Sequence, residues 1–297
     1  MRPFWDTDIK VVVRRVKQGS IVPVHRGLYA GKEYWDRLDP HERLRHILRS
    51  LSQWHERWAF CGASAAVMHG LDCSYRQLHP IHVAVGRNSR PRNQRYVRFH
   101  VLDDAETVAV DGARVTSILR TLVDCAAMMP RRYAMAPIDS ALRQGKTTVE
   151  QMLEYVDAIP MLRDRERIRA VLAQGDGRVE NGGESECRAV LDELGFPVHR
   201  VQVEFPCLSH PGRVHRVDFL WERDDGTLIA GEFDGVQKYV DPLMTAGRTI
   251  RQVVDDERDR QQCLSRRGVD MVRMFYRDLD NAQVLAYRLE QARVPRR

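Results

Sequence analysis

Four carboxylates and one lysine in the C-terminal part of the chain have the types and spacing to do chemistry. Glu232 and Asp234 sit two apart in TLIAGEFDG, at the end of an apolar run that predicts a buried strand. Residues i and i+2 of a strand face the same way, so two negative charges share one face, which is costly without a neutralising partner. Asp218 lies fourteen residues earlier in RVHRVDFLWE, and the turn RDDG folds that segment back beside the first. Glu184 opens the helix ahead of both, and Lys238 follows Asp234 by four residues. Carboxylates converging with little to balance them make a site for a hard divalent cation such as Mg²⁺ or Mn²⁺. Such a cation relieves the repulsion, polarises a phosphate and lowers the pKa of a bound water, and Lys238 would steady the attacking hydroxide or the phosphate. The plainer alternative is that Asp218 and Glu232 pair with Arg213, Arg216 or Arg260, or end their strands in water.

The elements that must position these groups follow the order α-β-β-β-α-β. Residues 184–194 predict an amphipathic helix; 198–207, 213–222 and 227–235 predict strands; 249–267 predict a polar helix and 269–276 a last strand. The stretch AQGDGRVENGG, residues 173–183, holds four glycines and no large apolar side chain and reads as a linker.

Ahead of it the pattern differs. Residues 9–18 predict a short helix and SIVPVHRGLYA a two-stranded ribbon around Arg26-Gly27, a pairing that matches the end of a winged helix. Residues 41–58 predict a basic amphipathic helix and 62–71 a small-residue helix. Residues 81–86 and 96–102 alternate as strands, and 114–129 (capped by Ser117 or Thr116), 134–144 and 147–157 (opened by Thr147-Thr148) predict further helices. Arg87, Arg90, Arg92, Arg95 and Arg98 fall within twelve residues that contain no acid, so this loop could track phosphates or be an ordinary solvated hairpin loop. Arg14, Arg15 and Lys17 could carry the first helix into a groove, or Val11, Val12 and Val16 could dock it on its own domain. Arg120 and Asp124 form an i, i+4 pair of structural character. Trp35, Trp54 and Trp58 read as packing anchors, and His79-Pro-Ile-His82 as incidental.

The whole composition sets the bounds. With 297 residues, 43% hydrophobic and 30% charged, the chain has the profile of a globular protein of one large or two ordinary domains. Its net charge of +6 and pI of about 9.1 permit nucleic-acid binding without demanding it. No apolar run is long enough to span a bilayer, and MRPFWDTDIK has no apolar signal core, so a cytoplasmic protein with no membrane partner is expected. Six scattered cysteines, with no C-x-x-C pair or zinc-ligand spacing, read as reduced, mostly buried thiols.

Two family resemblances rest on longer stretches. Glu184-Ser185 with Arg188, Val217-Asp218-Phe219, Gly231-Glu232-Phe233-Asp234-Gly235 with Lys238-Tyr239, Glu257-Arg258 with Arg260, Leu264, Gly268 and Val272-Arg273 cover most of residues 184–280. In this order they resemble restriction-endonuclease-like proteins related to very-short-patch-repair endonucleases, within the PD-(D/E)xK superfamily. The resemblance implies a Mg²⁺- or Mn²⁺-dependent core in which Asp218 and Glu232 hold the metal and Glu184 assists. Asp234 stands where the superfamily motif has lysine, with Lys238 as its replacement.

Arg26-Gly27-Leu28-Tyr29, Ser64-Ala65-Ala66, His69-Gly70-Leu71, Ile81-His82-Val83, Val115-Thr116-Ser117, Arg120-Thr121-Leu122-Val123-Asp124 and Asp139-Ser140-Ala141-Leu142-Arg143 resemble AbiEi-type antitoxins of type IV toxin–antitoxin systems. That resemblance implies a winged helix, shortened here ahead of residue 9, followed by an α/β antitoxin-like domain. The expected architecture is therefore α+β or α/β: a winged-helix remnant at 1–30, an AbiEi-like domain at 31–172, a linker at 173–183 and a restriction-endonuclease-like domain at 184–297. Two functions stay open. One is a DNA endonuclease using Glu184, Asp218, Glu232, Asp234 and Lys238, with DNA held by Arg14, Arg15, Lys17, Arg26, Arg87, Arg90, Arg92 and Arg95. The other is a non-catalytic AbiEi-like regulator that keeps the nuclease fold as a binding module. DNA, a cognate toxin and a second copy of the chain are the expected partners.

Overall fold

A computed structural model describes residues 9–89, 91–103, 105–208, 210, 212–234 and 250–297, with the backbone alone for 250–257. The chain is of mixed α and β structure and divides into two compact units, residues 1–141 with 145–175, and residues 142–144 with 176–297.

In the first unit, helix α1 (Ile9–Lys17) leads into the hairpin β1 (Ile21–His25) and β2 (Leu28–Gly31). His25 pairs with Leu28 across the two-residue turn Arg26-Gly27. Gly27 has φ +75°, and a Cβ there would meet the Trp54 ring at 3.3 Å, so glycine is needed both for the turn and for the close approach. Helices α2 (Lys32–Arg37) and α3 (Pro40–Trp54) follow. Asp39 and Glu42 close a reciprocal capping box on α3, with Pro40 at its first position. The helix stops four residues short of the expected end at 58, because the chain turns there: His55 stacks on Trp58 with ring centroids 3.9 Å apart.

The rest of this unit is β3 (Ala59–Phe60), α4 (Gly62–Met68), β4 (Ile81–Val85), β5 (Val97–Val101), β6 (Thr107–Val110), β7 (Ala113–Thr116), α5 (Ile118–Met128), α6 (Arg131–Arg143), α7 (Val149–Ala158) and α8 (Arg165–Leu172). Five strands form a mixed sheet in the order β5-β4-β3-β7-β6. Every residue of α4 is buried; its alanines let it pack closely on α5 and β4. Residues 114–116, the start of the stretch expected to become helical, lie in β7, and α5 starts after Ser117, one of the two expected caps. Thr148 and Gln151 box the start of α7.

His82 on β4 meets a histidine across the sheet. Its ring lies on that of His100 of the adjacent parallel strand, with centroids 5.0 Å apart and Nδ1 2.8 Å from Nε2 of His100. Burial, then the charges of His100 and Arg98, lower the His82 pKa to about 4. The folded value lies below the unfolded one of about 6.5, so the unfolded chain takes up the proton first and stability falls as pH drops from 6.5 through 4. Wild type should lose about 2–3 kcal/mol relative to His82→Phe over that window. Urea unfolding at pH 7.5 and 4.5 checks this; parallel profiles would refute it.

The second unit contains α9 (Gly182–Glu193), β8 (Arg200–Pro206), β9 (Val214–Glu222), β10 (Leu228–Asp234), α10 (Ile250–Arg266), β11 (Val269–Phe275), α11 (Tyr276–Leu279) and α12 (Ala282–Gln291). Its sheet runs β11-β10-β9-β8, antiparallel except for the parallel pair β10–β11. Apolar clusters cover both faces. Phe219, Trp221, Ile229, Phe233 and Met274 pack with Cys187 and Leu191 of α9 on one side. Leu220, Ala230 and Val269 pack with Leu264 of α10 on the other. A Cβ on Gly231 would stand 2.7 Å from the Trp221 ring, so this strand carries glycine where the indole crosses it. Among the described residues no helix is long and apolar enough to cross a membrane.

Candidate functional site

Glu184 enters the site through the start of α9. The side chain of Asn181 caps the helix by accepting the N–H groups of Gly183 and Glu184 at 2.9 and 3.1 Å, which turns the Glu184 carboxylate back over the helix end. One carboxylate oxygen accepts the Glu180 N–H at 3.0 Å and the Gln202 amide at 2.8 Å, and the other accepts the Asn181 amide. Glu184 is only 4% exposed. That burial, reinforced by the charge of Asp218, raises its pKa to about 7. Glu180, which the sequence did not single out, adds a further negative charge and forms an ion pair with Arg216.

Asp218 sits where the sheet loses its regularity. The β9–β10 ladder runs from Leu228↔Glu222 to Gly231↔Phe219 and stops. In place of the next rung, the Asp218 carboxylate accepts the Phe233 N–H at 2.8 Å. Gln202, the residue facing Asp218 in the β8–β9 register, has φ +52°. Val217 joins the α10-side cluster although Phe219 and Trp221 lie on the α9 side. An unusual backbone conformation thus coincides with the point where Asp218 and Glu184 come together.

Glu232 lies one step past the end of that ladder and is 5% exposed. Alternation puts it on the side of Ala230, under α10, where it forms an ion pair with Arg260. Arg260 also donates to the carbonyl of Arg216, which fixes the guanidinium against the sheet. Asp234 is likewise buried, opposite Phe275 of β11. Lys238 lies outside the described residues.

These placements give the carboxylates partners other than a metal. A hard divalent cation requires several oxygens free to turn toward it. Here Glu232 faces a guanidinium, an Asp218 oxygen holds a backbone amide and Glu184 accepts three N–H donors. As placed, Glu232 pairs with Arg260, which is the plainer alternative read from the sequence, and Asp218 holds a backbone amide.

The basic candidates occupy the first unit. Arg14, Arg15 and Lys17 are exposed on α1, which buries Val12. Arg87 forms an ion pair with Asp103 at 2.6 Å and is thereby partly neutralised. Arg92, Arg95 and Arg98 are exposed and have no carboxylate partner among the described residues; Arg90 lies outside them. Arg26 and Arg95, far apart in sequence, border one cleft of about 310 Å³ together with His25, Gln94, Tyr96 and Val97. The rings of His25 and Tyr96 meet edge-on at 5.9 Å, and the Arg95 guanidinium lies 5.2 Å from the Tyr96 ring centre. Two cations beside an exposed aromatic suit a nucleic-acid backbone with a base or sugar against the ring. A second cleft of about 520 Å³ is lined by Arg57, Trp58, Phe99 and Arg114. Sequence reading missed Arg57, Arg114, His25 and Tyr96, since nothing in their local spacing sets them apart.

Residues 58–174, from just before β3 to just past α8, match the family model described as the AbiEi antitoxin C-terminal domain. The chain is also similar to two uncharacterized proteins of Mycobacterium tuberculosis, from strains CDC 1551 / Oshkosh and H37Rv. Each is 28% identical over 260 residues, covering 82% of this chain and 89% of the relative.

Proposed function

We propose that this chain is an AbiEi-like antitoxin-type regulator that binds DNA through its first unit and uses its second as a non-cleaving binding module. The observation that carries this reading is the match of residues 58–174 to the AbiEi antitoxin C-terminal domain. The convergence of Arg26 and Arg95 on one cleft supplies a surface for phosphates. The pairing of Glu232 with Arg260 supports a role other than phosphodiester cleavage for the second unit. A cognate toxin encoded next to this gene is the partner such a role requires.

A mobility shift on the DNA upstream of the chain's own gene tests the reading, and binding no tighter than to random DNA refutes it. Arg26→Glu/Arg95→Glu should weaken binding about tenfold or more and lower the slope of log K against log salt by about 2. An unchanged slope would move the DNA surface elsewhere.

A metal-dependent endonuclease is the second reading, favoured by the approach of Glu184 to Asp218 in an electrostatically strained pocket. Nicking of supercoiled plasmid in Mg²⁺ or Mn²⁺, abolished by Asp218→Ala with Glu232→Ala, would establish it over the first.

A further inference from the structure

The cysteines, too widely spaced for any zinc pattern to be expected from the sequence, do not all stay apart. Cys207, immediately after β8, His215 on β9 and Cys263 on α10 bring one ligand atom each to within 4.8 Å of one another. His215 is 4% exposed, and its Nε2 is buried with no hydrogen-bond partner among the described residues. A buried imidazole nitrogen left without a partner is costly, and this imidazole stands beside two sulfurs.

We propose that Cys207, His215 and Cys263 form a structural Zn²⁺ site, with His210 as the fourth ligand. The Sγ atoms of Cys207 and Cys263 are 3.7 Å apart. That is far longer than a disulfide of about 2.05 Å and close to the roughly 3.8 Å edge of a tetrahedron with Zn–S bonds of about 2.3 Å. Nδ1 of His210 lies 3.8 Å from the Cys207 sulfur. The Leu208 N–H donates to the Cys263 sulfur at 3.2 Å, the kind of outer hydrogen bond that orients a metal-bound sulfur. Two soft thiolates and two imidazoles select zinc over Mg²⁺ or Ca²⁺, and four protein ligands leave no position for substrate. The site clamps the β8–β9 hairpin to α10. Cys263 is three residues from Arg260, on the same helix face, so the clamp also holds the guanidinium that meets Glu232. None of this depends on the DNA-binding role.

Untagged full-length protein purified in reductant with zinc supplied should contain stoichiometric zinc. Replacement by Co²⁺ should give the intense visible bands of a tetrahedral thiolate site. Cys207→Ser, at the half-exposed position, and His215→Ala should each lose most of the bound metal while retaining wild-type far-ultraviolet dichroism. Wild type without zinc and without tetrahedral Co²⁺ bands would overturn the proposal, with no variant needed. So would full zinc content in both variants, or a Cys207–Cys263 disulfide in zinc-supplied protein purified without reductant.

Discussion

Replacing Asp124 by alanine should destabilise the first unit by about 3–5 kcal/mol, the cost of removing one partner from a buried ion pair. The Arg120–Asp124 bridge is 2.8 Å long, and its side chains are 9% and 2% exposed. Alanine would leave the guanidinium buried on α5 without its partner carboxylate. The double variant Arg120→Met/Asp124→Leu should recover most of the loss, because removing both charges also removes their desolvation penalty. A double-mutant cycle in urea separates the pair from its surroundings. A loss below about 1 kcal/mol in Asp124→Ala would place the pair among weakly contributing surface bridges.

Arg260→Ala is the second large effect. It should cost about 3 kcal/mol, the lower end for a broken buried pair because the arginine is partly exposed, and it strands the Glu232 carboxylate under α10. It also removes the cation that faces the buried Glu232 carboxylate. The variant should then gain stability from millimolar Mn²⁺ or Mg²⁺ by mass action, while the wild-type midpoint stays unchanged. Thermal unfolding with and without the cation checks both halves. If wild type is stabilised as much as the variant, Arg260 is not the competitor of a metal in this site.

The order α-β-β-β-α-β of the second unit was legible because each element carries its own short-range pattern. Alternation marks β8, β9 and β10, polar helical periodicity marks α10, and glycines close the turns. The caps of α5 and α7 were legible for the same reason, being settled within four residues of chain. What escaped was short or ambiguous. β3 is two residues long, too few for alternation to show. ARVT of β7 runs straight into the apolar residues of α5, so the change of period is hidden. The charged helix α8 has no expected counterpart.

The candidate sites divide the same way. Sequence by itself determined which carboxylates share an edge of the sheet, since strand pairing and alternation follow from local pattern and bring Asp218 to the level of Glu232. Only the tertiary structure decided what those carboxylates meet. Arg260 reaches Glu232 from a helix whose rotation and height are fixed by packing, and His215 and Cys263 are joined across the same contact. Such meetings depend on side-chain direction between distant elements, which is set by the filling of a core and not by spacing along a chain.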